Sequence, residues 1–469
     1  MGDLCRIIEK GMDFDMYFTE ALAKYTLELD MQRLDPEIIR QAKLFFADGI
    51  ACMAAGAREE PVLIAAGFAQ KFGGAPSASI LYSDVKTDVC SAALANGIAA
   101  HFHDFDDVSD SANAHISVVV LPVVLALGEE LNASGEEALA AYIAGIEVCA
   151  LTGRAMGKES FRRGWHTTSS LGIFGAVAAA GLLMKLTQQQ LTYAMGLAAS
   201  EASGVKANFG TMAKGFHAGS AASKAIRIAQ LASLGYDSHP AVLEAKCGLA
   251  DLTAGGADLA SAYAAIDNGV SEFLDPGMVM KPYPSAKCSH NGIDAMYALV
   301  TENNLGPEDI KQVYAQVQPY AMDGLRFAVA RTKLEGKFSL TYCMAQIITK
   351  RELIMSDFDG ETVEDPVLID LMKKMNVAAS ETLNDGDTML MRGDTVVRVL
   401  TNDGRDLEKR VNYATGDPHC PLTEEQRMRK LRDCFQRHDL SPEKTEEAIQ
   451  ALEHLEKLPY ISEFVAIFT

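Results

Sequence analysis

The chain has 469 residues, of which 48% are hydrophobic and 22% charged, and this ordinary globular composition excludes a disordered chain and predicts two or three structural units. Its 63 acidic residues against 42 basic ones give a net charge of -21, which repels nucleic acids and anionic membranes. We therefore expect neither a nucleic acid nor a membrane as a partner.

The cysteines and the N-terminal residues indicate the compartment. The nine cysteines are scattered and contain no Cys-x-x-Cys pair, which argues against a zinc ribbon, an iron-sulfur cluster and a disulfide framework. The first residues show no basic region followed by a long apolar run, so neither a secretory signal nor a transit peptide is predicted. These features together predict a cytoplasmic protein.

Residues 36–274 read as a succession of helices, with apolar residues three and four positions apart between Gly, Asn, Ser and Pro. Residues 121–156 predict a helical hairpin, in which the turn begins at Asn132 and Ser134 caps the second helix together with Glu137. The Ala- and Gly-rich stretch 170–184 is too short to span a bilayer and predicts a buried helix.

The pattern changes after Asp275. Residues 310–317 and 387–400 alternate between apolar and polar side chains, as strands do, whereas segments 424–431 and 443–458 return to charged helical repeats. We predict a mainly α protein: a large all-helical domain at 1–275, a smaller α/β lid domain at 276–405, and C-terminal helices at 406–469 that pack back on the helical domain.

Seven of the ten histidines lie between residues 101 and 290, and most are next to Gly, Asp or Lys. Loops and helix ends of this kind commonly carry catalytic groups. The first cluster joins His101, His103 and an Asp-Phe-Asp-Asp run at 104–107, followed by His115. His-x-His-Asp is typical of metal hydrolases, and an Asp-rich helix end is typical of magnesium-dependent terpene synthases. Neither ligand set is complete, so we predict no metal and no other cofactor.

Three further clusters carry cationic side chains. His166 precedes a run of hydroxyl residues before the Ala-rich helix, where a substrate carboxylate could bind at a helix N-terminus, although a simple cap by Thr167 or Thr168 is equally consistent. Lys214 and His217, three residues apart, share one helix face. Lys281 lies beside two prolines in the segment that joins the two domains.

Taken in order, these motifs resemble the MmgE/PrpD family over nearly the whole chain. The resemblance is carried by four motifs: Asp-Phe-Asp-Asp at 104–107, His-x-x-Ser at 166–169, Gly-Thr-x-x-Lys-x-x-His-x-Gly-x-Ala-Ala at 210–222, and Lys-x-Tyr-Pro at 281–284. The family includes 2-methylcitrate dehydratases, cis-aconitate decarboxylases and iminodisuccinate epimerases. The resemblance implies a large helical domain with a smaller α/β lid, a homodimer, and no cofactor.

The resemblance also implies a set of site residues. The catalytic ones are Asp104, His115, His166 and Tyr342, and the substrate-binding ones are Lys214, Lys281 and His217. Two features depart from the decarboxylase branch: Val108 stands where that branch has Thr, and the loop from Asp104 to His115 is one residue longer. Residues 164–222 are closer to the epimerase branch, which lacks a tyrosine at the position of Tyr342. The subfamily therefore stays open.

Elementary chemistry suggests a role for each residue. Lys214 and Lys281 would stabilise the charge that builds on a carboxylate, and His115 would transfer the proton. Two further roles are the orientation of a histidine by Asp104 and the donation of a hydrogen bond or proton by Tyr342. For each of them a structural use is also open, as a helix cap for Asp104 and as lid core for Tyr342.

We predict a metal-independent lyase that acts by proton transfer on a small di- or tricarboxylic acid. The reaction is the dehydration of a 2-methylcitrate-like acid or the decarboxylation of a cis-aconitate-like acid. The alternatives are an epimerase of an iminodisuccinate-type dicarboxylate and a non-catalytic carboxylate-binding protein of the same fold. The expected partners are a small polycarboxylate substrate and a second copy of the chain.

Overall fold

The helical domain forms the larger part of the molecule. The structure, a computed structural model, describes residues 16–359, 363–383 and 393–469. A two-stranded antiparallel hairpin, β1 (Ala78–Ser79) and β2 (Lys86–Thr87), follows the third helix of this domain. Its helices are α1 (Phe18–Leu27), α2 (Pro36–Gly56), α3 (Glu60–Phe72), α4 (Val89–Phe102), α5 (Ser117–Leu131), α6 (Gly135–Arg162), α7 (Thr167–Ser170), α8 (Gly172–Leu183), α9 (Gln188–Glu201), α10 (Ala213–Ser233), α11 (Leu249–Ala254) and α12 (Leu259–Asp267).

The predicted helical hairpin is confirmed. Asn132 ends α5 in the left-handed conformation, which Asn tolerates better than most residues. Ser134 accepts a hydrogen bond from the backbone N–H of Glu137, and the Glu137 carboxylate accepts one from the Ser134 N–H, which completes a capping box. The predicted buried helix is also confirmed, as α8 with nearly all of its side chains buried.

Small residues allow the core helices to approach closely. A Cβ added to Gly175 of α8 would lie 2.3 Å from the carbonyl oxygen of Gly145 in α6. A Cβ added to Gly97 of α4 would lie 2.6 Å from the Cα of Gly219 in α10. Because α4 carries His101 and α10 carries Lys214, this second crossing brings two chemically active side chains together.

The lid domain is built on one mixed sheet. Its helices are α13 (His290–Asn303), α14 (Lys333–Gly336), α15 (Leu340–Lys350) and α16 (Pro366–Lys373), and its strands are β3 (Ile310–Val317), β4 (Met375–Ala379), β5 (Thr395–Thr401) and β6 (Asp406–Val411). The strand order is β4-β3-β5-β6, with β3 parallel to β4 and the other two pairs antiparallel. The mainly α fold class with a smaller α/β domain is therefore confirmed.

The two predicted strands have different outcomes. β3 covers the predicted residues 310–317 and alternates between buried and more exposed side chains, with one break at Gln312 where its register with β5 shifts. The second prediction began at residue 387, but β5 begins at Thr395, and residues 387–392 lie outside the described residues. The sheet also continues to Val411, beyond the predicted lid limit at residue 405, because β6 pairs with β5 along its length.

The C-terminal residues form α17 (Glu424–Gln436), α18 (Pro442–Glu453) and α19 (Ile461–Val465). Phe435, Leu452 and Phe464 are buried in the same apolar core as the helical domain, whereas the lid has a core of its own. By length and composition α6 could cross a membrane, but 89% of its apolar window is buried inside the protein, as in a core helix.

Candidate active site

The site begins in the loop between α4 and α5. Asp104 adopts a positive φ of 53°, in the left-handed region, directly after the helix ends. Farther along the loop, the backbone N–H groups of Val108 and Val279 donate hydrogen bonds to each other's carbonyl oxygens, at 3.0 and 2.9 Å. This pairing ties the loop to the segment between the domains, and Lys281 follows two residues later.

Two ammonium groups meet at the Asp104 carboxylate. Lys281 Nζ donates to Asp104 Oδ1 at 2.9 Å and to the Asp104 carbonyl oxygen at 2.8 Å. Lys214 Nζ donates to the same Oδ1 at 3.1 Å. All three side chains are buried, so the water that would screen their interaction is largely excluded.

The imidazoles of His101 and His115 share a second carboxylate, that of Asp106. His101 Nδ1 lies 2.8 Å and His115 Nδ1 2.9 Å from Asp106 Oδ2. The Nε2 atom of His101 lies 2.9 Å from Lys214 Nζ, whereas that of His115 lies 3.5 Å from Asp104 Oδ1. Asp104 was predicted to orient a histidine, but the carboxylate nearest to His115 is that of Asp106.

His166 and His217 form a pair on the other side of Lys214. Their Nδ1 atoms lie 3.0 Å apart, so one ring must donate its proton to the other. The His166 ring also stacks on that of His101, with centroids 5.5 Å apart. The prediction that Lys214 and His217 lie on one face of a helix is confirmed, because both project from the first two turns of α10 into this cluster.

Burial and charge set the protonation of the cluster. Burial would raise the pKa of Asp104, but Lys214 and Lys281 hold it well below its usual range. Burial lowers the pKa of His101 to about 4, with Lys214 acting in the same direction. It lowers the pKa of His115 as well, against the opposing effect of Asp106, and it lowers the pKa of His217 to about 4. The carboxylates are therefore ionised and the imidazoles neutral at pH 7.

The pocket lies between the two domains. The helical domain contributes Asp104, His115, His166 and Lys214, and the lid contributes Phe338 among others. The predicted residues Lys281 and His217 do not line the cavity, but Lys281 contacts Asp104 and His217 contacts His166. The cavity measures about 60 Å³, far below the roughly 300–1,000 Å³ of typical ligand pockets. We therefore expect the domains to move apart when a substrate enters.

The structure does not bring Tyr342 into this pocket. Its side chain is fully buried in the lid core, where it packs against Phe358 with ring centroids 5.6 Å apart. The hydroxyl donates to the Asp357 carbonyl oxygen and accepts a hydrogen bond from Gln346 Nε2 at 2.8 Å. Of the two roles considered for Tyr342, these contacts support that of a packing residue in the lid core. They do not support a catalytic role.

Sequence reasoning missed two members of the site, His101 and Asp106. Both lie in the His- and Asp-rich run at 101–107, but the local sequence does not show which of its residues face the pocket and which, like His103, do not. The His103 ring instead faces the Ala55 carbonyl oxygen at 3.1 Å and Glu59 at 3.3 Å, away from the pocket. Only the crossing of α4 with α10 distinguishes the three.

Four of these side chains could also hold a metal ion. Donor atoms of His101, Asp104, Asp106 and His115 all lie within 4.8 Å of one another. However, Lys214 Nζ lies within hydrogen-bonding distance of both His101 and Asp104, and Lys281 also binds Asp104. Two ammonium groups at the ligand atoms repel a divalent cation, so this arrangement fits a metal poorly.

Comparison with known proteins finds similarity to cis-aconitate decarboxylases. The chain is 25% identical over 438 residues to a cis-aconitate decarboxylase of Aspergillus terreus, covering 88% of each chain. It is 27% identical to the human cis-aconitate decarboxylase over 410 residues, which are 80% of this chain and 83% of the human protein. The mouse cis-aconitate decarboxylase gives 27% identity over 409 residues, with 80% and 82% covered. These relatives support an enzyme that acts as a lyase, and they give the epimerase alternative no support.

The family models match both domains. The MmgE/PrpD N-terminal domain matches residues 20–262, and the MmgE/PrpD C-terminal domain matches residues 283–457. Together they span the helical domain, the lid and most of the C-terminal helices. The chain belongs to the MmgE/PrpD family.

Proposed function

We propose that this protein is a metal-independent lyase that decarboxylates a small, cis-aconitate-like di- or tricarboxylic acid. One observation carries the proposal: the ammonium groups of Lys214 and Lys281 converge on Asp104 beside His115, in a buried pocket between two domains. The similarity to three cis-aconitate decarboxylases supports this reaction over the others of the family.

The chemistry requires a place for negative charge. When the bond to the departing carboxylate breaks, carbon dioxide leaves and the electron pair passes onto the carbon framework, where a neighbouring carboxylate delocalises it. A fixed ammonium group stabilises that charge without later rearrangement. Two lysines line the pocket, Lys214 and Lys287, and Lys287 is paired with Asp110 at 3.1 Å. Lys214 is the one that contacts Asp104, and Lys281 holds Asp104 and thereby the position of Lys214.

A proton must then reach the carbon. His115 lines the pocket and its Nδ1 faces Asp106, so its Nε2 is the atom through which the ring exchanges a proton with the substrate. Its pKa is lowered in the free protein, but a bound polyanion favours the protonated ring. His166, on the same pocket wall, binds a carboxylate or serves in a second proton transfer.

Dehydration is the second candidate, because the same groups can perform it. A proton would leave a carbon next to a carboxylate, and hydroxide would depart as water with a proton from a histidine. Val108 and the longer loop from Asp104 to His115 depart from the decarboxylase pattern that the resemblance implies, which keeps this second reaction open.

Product analysis separates these reactions. The protein would be incubated in D2O with cis-aconitate, trans-aconitate, citrate, 2-methylcitrate and iminodisuccinate, and the products followed by 13C and 1H NMR. We expect release of carbon dioxide and one deuterium on the product carbon. Loss of water instead would establish the dehydratase. Deuterium exchange without cleavage of a carbon bond would establish an epimerase, and thermal stabilisation without conversion a carboxylate-binding protein.

Metal independence has its own test. After exhaustive dialysis against EDTA we expect full activity, because ammonium groups neighbour two of the four possible ligands. Addition of magnesium, manganese or zinc should then have no effect. Loss of activity that one of these ions restores would overturn this part of the proposal.

A second copy of the chain is the proposed partner. The outer face of α3 carries four apolar side chains that are at least half exposed, namely Leu63, Ile64, Phe68 and Phe72. Exposed apolar patches of this kind mark interaction surfaces. Light scattering at micromolar concentration should give twice the 50.5 kDa chain mass, and a Phe68→Asp variant should shift the mass towards the monomer. A monomeric wild type would refute the dimer.

A further inference from the structure

The side-chain amide of Asn113 lies in the pocket, and the proposed reaction assigns it no role. Its side chain lines the pocket together with His115, His166 and Lys214, and only 2% of the residue is exposed. Within the described part of the chain neither Oδ1 nor Nδ2 of Asn113 has a hydrogen-bonding partner. A buried amide with no partner destabilises a folded protein, and each such group in a native structure calls for an explanation.

The backbone of Asn113, in contrast, is firmly held. Its N–H donates to the Asp110 carbonyl oxygen at 3.1 Å, and its carbonyl oxygen accepts a hydrogen bond from the Thr167 hydroxyl. The residue adopts φ 49°, a left-handed conformation that Asn tolerates better than most other side chains. The backbone on both sides therefore fixes the direction of the Cα–Cβ bond of Asn113.

The surrounding loop is held with equal firmness. Ser109 and Ala114 exchange backbone hydrogen bonds at 2.9 and 3.1 Å. Ala112 lies so close to α6 that a Cβ added to Gly153 would be 2.2 Å from its Cα. The amide therefore cannot escape the pocket through a small movement of the loop, and it presents a preorganised donor and acceptor to whatever occupies the space.

We propose that Asn113 is a substrate-binding residue whose Nδ2 donates a hydrogen bond to a carboxylate that stays on the acid throughout the reaction. The inference rests on the proposed function and adds to it that the substrate carries a second carboxylate, bound by a neutral donor rather than by a lysine. Asn113 lines the pocket beside His115 and His166, so it is placed to determine which acid is accepted.

Two variants test this role. Asn113→Gly removes the amide and keeps the left-handed backbone accessible, and Asn113→Asp keeps the shape but directs a negative charge at the carboxylate. Asn132→Gly is the matched control, because Asn132 is also left-handed, at φ 54°, but is exposed at the end of α5. Binding of citrate and cis-aconitate would be measured by calorimetry, with KM and kcat for the acid that is converted and Tm without ligand.

We expect Asn113→Gly to weaken binding of the acid by about 10- to 100-fold, the range for a hydrogen bond to a charged group. The ligand-free Tm should be unchanged or higher, since the amide has no partner to lose. Asn113→Asp should weaken binding at least as much, and Asn132→Gly should leave it unchanged. A purely structural Asn113 would give the reverse, with a lowered Tm and normal affinity.

The possible failures are distinguishable. If the wild type converts an acid but Asn113→Gly has normal KM and affinity, the inference is wrong and the proposed function stands. If the wild type binds the acids without converting them, the proposed function is wrong, and the calorimetry still decides the role of Asn113. If the wild type neither binds nor converts any acid of the panel, both are wrong.

Discussion

The Lys281–Asp104 pair offers the most direct perturbation of the site. Lys281 is fully buried and makes three hydrogen bonds, to Asp104 Oδ1, the Asp104 carbonyl oxygen and the Ser285 carbonyl oxygen. Substitution by Met keeps the length of the side chain and removes the charge. It leaves the buried Asp104 carboxylate with Lys214 as its remaining ammonium partner within hydrogen-bonding distance in the described residues.

Removing one partner of a buried ion pair costs about 3–5 kcal/mol, mostly because the other charge stays buried. We therefore expect Lys281→Met to lower the free energy of unfolding by about that amount. In the double variant Lys281→Met with Asp104→Asn, the stranded charge is gone as well. The double variant should therefore lose less free energy of unfolding than the two single variants lose together. The difference should be about 2 kcal/mol or more, within the range found for directly interacting residues.

Activity should behave differently from stability. The double variant still lacks the ammonium group that positions Lys214 through Asp104, so kcat/KM should stay at least about 100-fold below the wild type in all three variants, a loss of about 3 kcal/mol. The assays are urea unfolding at pH 7.5 followed by circular dichroism, and initial rates on the acid identified by NMR. Additive losses of stability, or recovery of turnover in the double variant, would refute the reasoning.

Three further outcomes are expected. His115→Gln should lower kcat by on the order of 100-fold with KM little changed, because it removes the proton shuttle; near-normal turnover would place the chemistry elsewhere. Tyr342→Phe should keep kcat/KM and lose about 1–2 kcal/mol of stability, since the hydroxyl bonds Asp357 in the lid core; a loss of kcat alone would support a catalytic tyrosine. Burial raises the pKa of Glu272 from 4.5 to about 7, so its contribution to stability is complete below pH 4.5 and is lost as the pH rises towards 7. Urea titrations should therefore find Glu272→Gln up to about 3 kcal/mol more stable than the wild type above pH 7 and equal to it near pH 4.5, and an advantage independent of pH would contradict this.

Local signals explain what the sequence predicted well. The hairpin of α5 and α6 follows from a capping box and a left-handed Asn, which are decided within six residues. β3 follows from an alternation over eight residues that is broken once, at Gln312. The predicted lid ends at residue 405 and so excludes β6 (Asp406–Val411). Four of its six residues are charged and none of the six is fully buried, so its composition does not indicate a strand of the lid sheet. Such a strand at the edge of a sheet can be identified from its hydrogen bonds to the neighbouring strand, here β5, but not from its own composition.

The candidate site likewise contains residues that the sequence located and residues that only the fold could show. Asp104, His115, His166 and Lys214 were located through the order of their motifs, and the structure brings all four to one pocket. Tyr342 was implied by the same resemblance but lies in the lid core, because a resemblance fixes the position of a residue in the chain but not the face of the helix that carries it. The amide of Asn113 could be found only from the fold, which buries it without a hydrogen-bonding partner among the residues that the structure describes.

The charges of the cluster indicate how the reaction is prepared. The Asp104 carboxylate contacts the ammonium groups of Lys214 and Lys281, and the Asp106 carboxylate contacts the imidazoles of His101 and His115. Burial lowers the pKa of these imidazoles, so two negative and two positive charges leave the free cluster with little net charge. A di- or tricarboxylate that enters brings two or three negative charges into this low-dielectric space. Each favours protonation of a nearby imidazole, and of the two histidines that line the pocket, His115 and His166, His115 is the one whose Nδ1 faces a carboxylate, that of Asp106. The substrate would therefore create its own acid on binding, and its affinity should fall as the pH rises and protons become scarce.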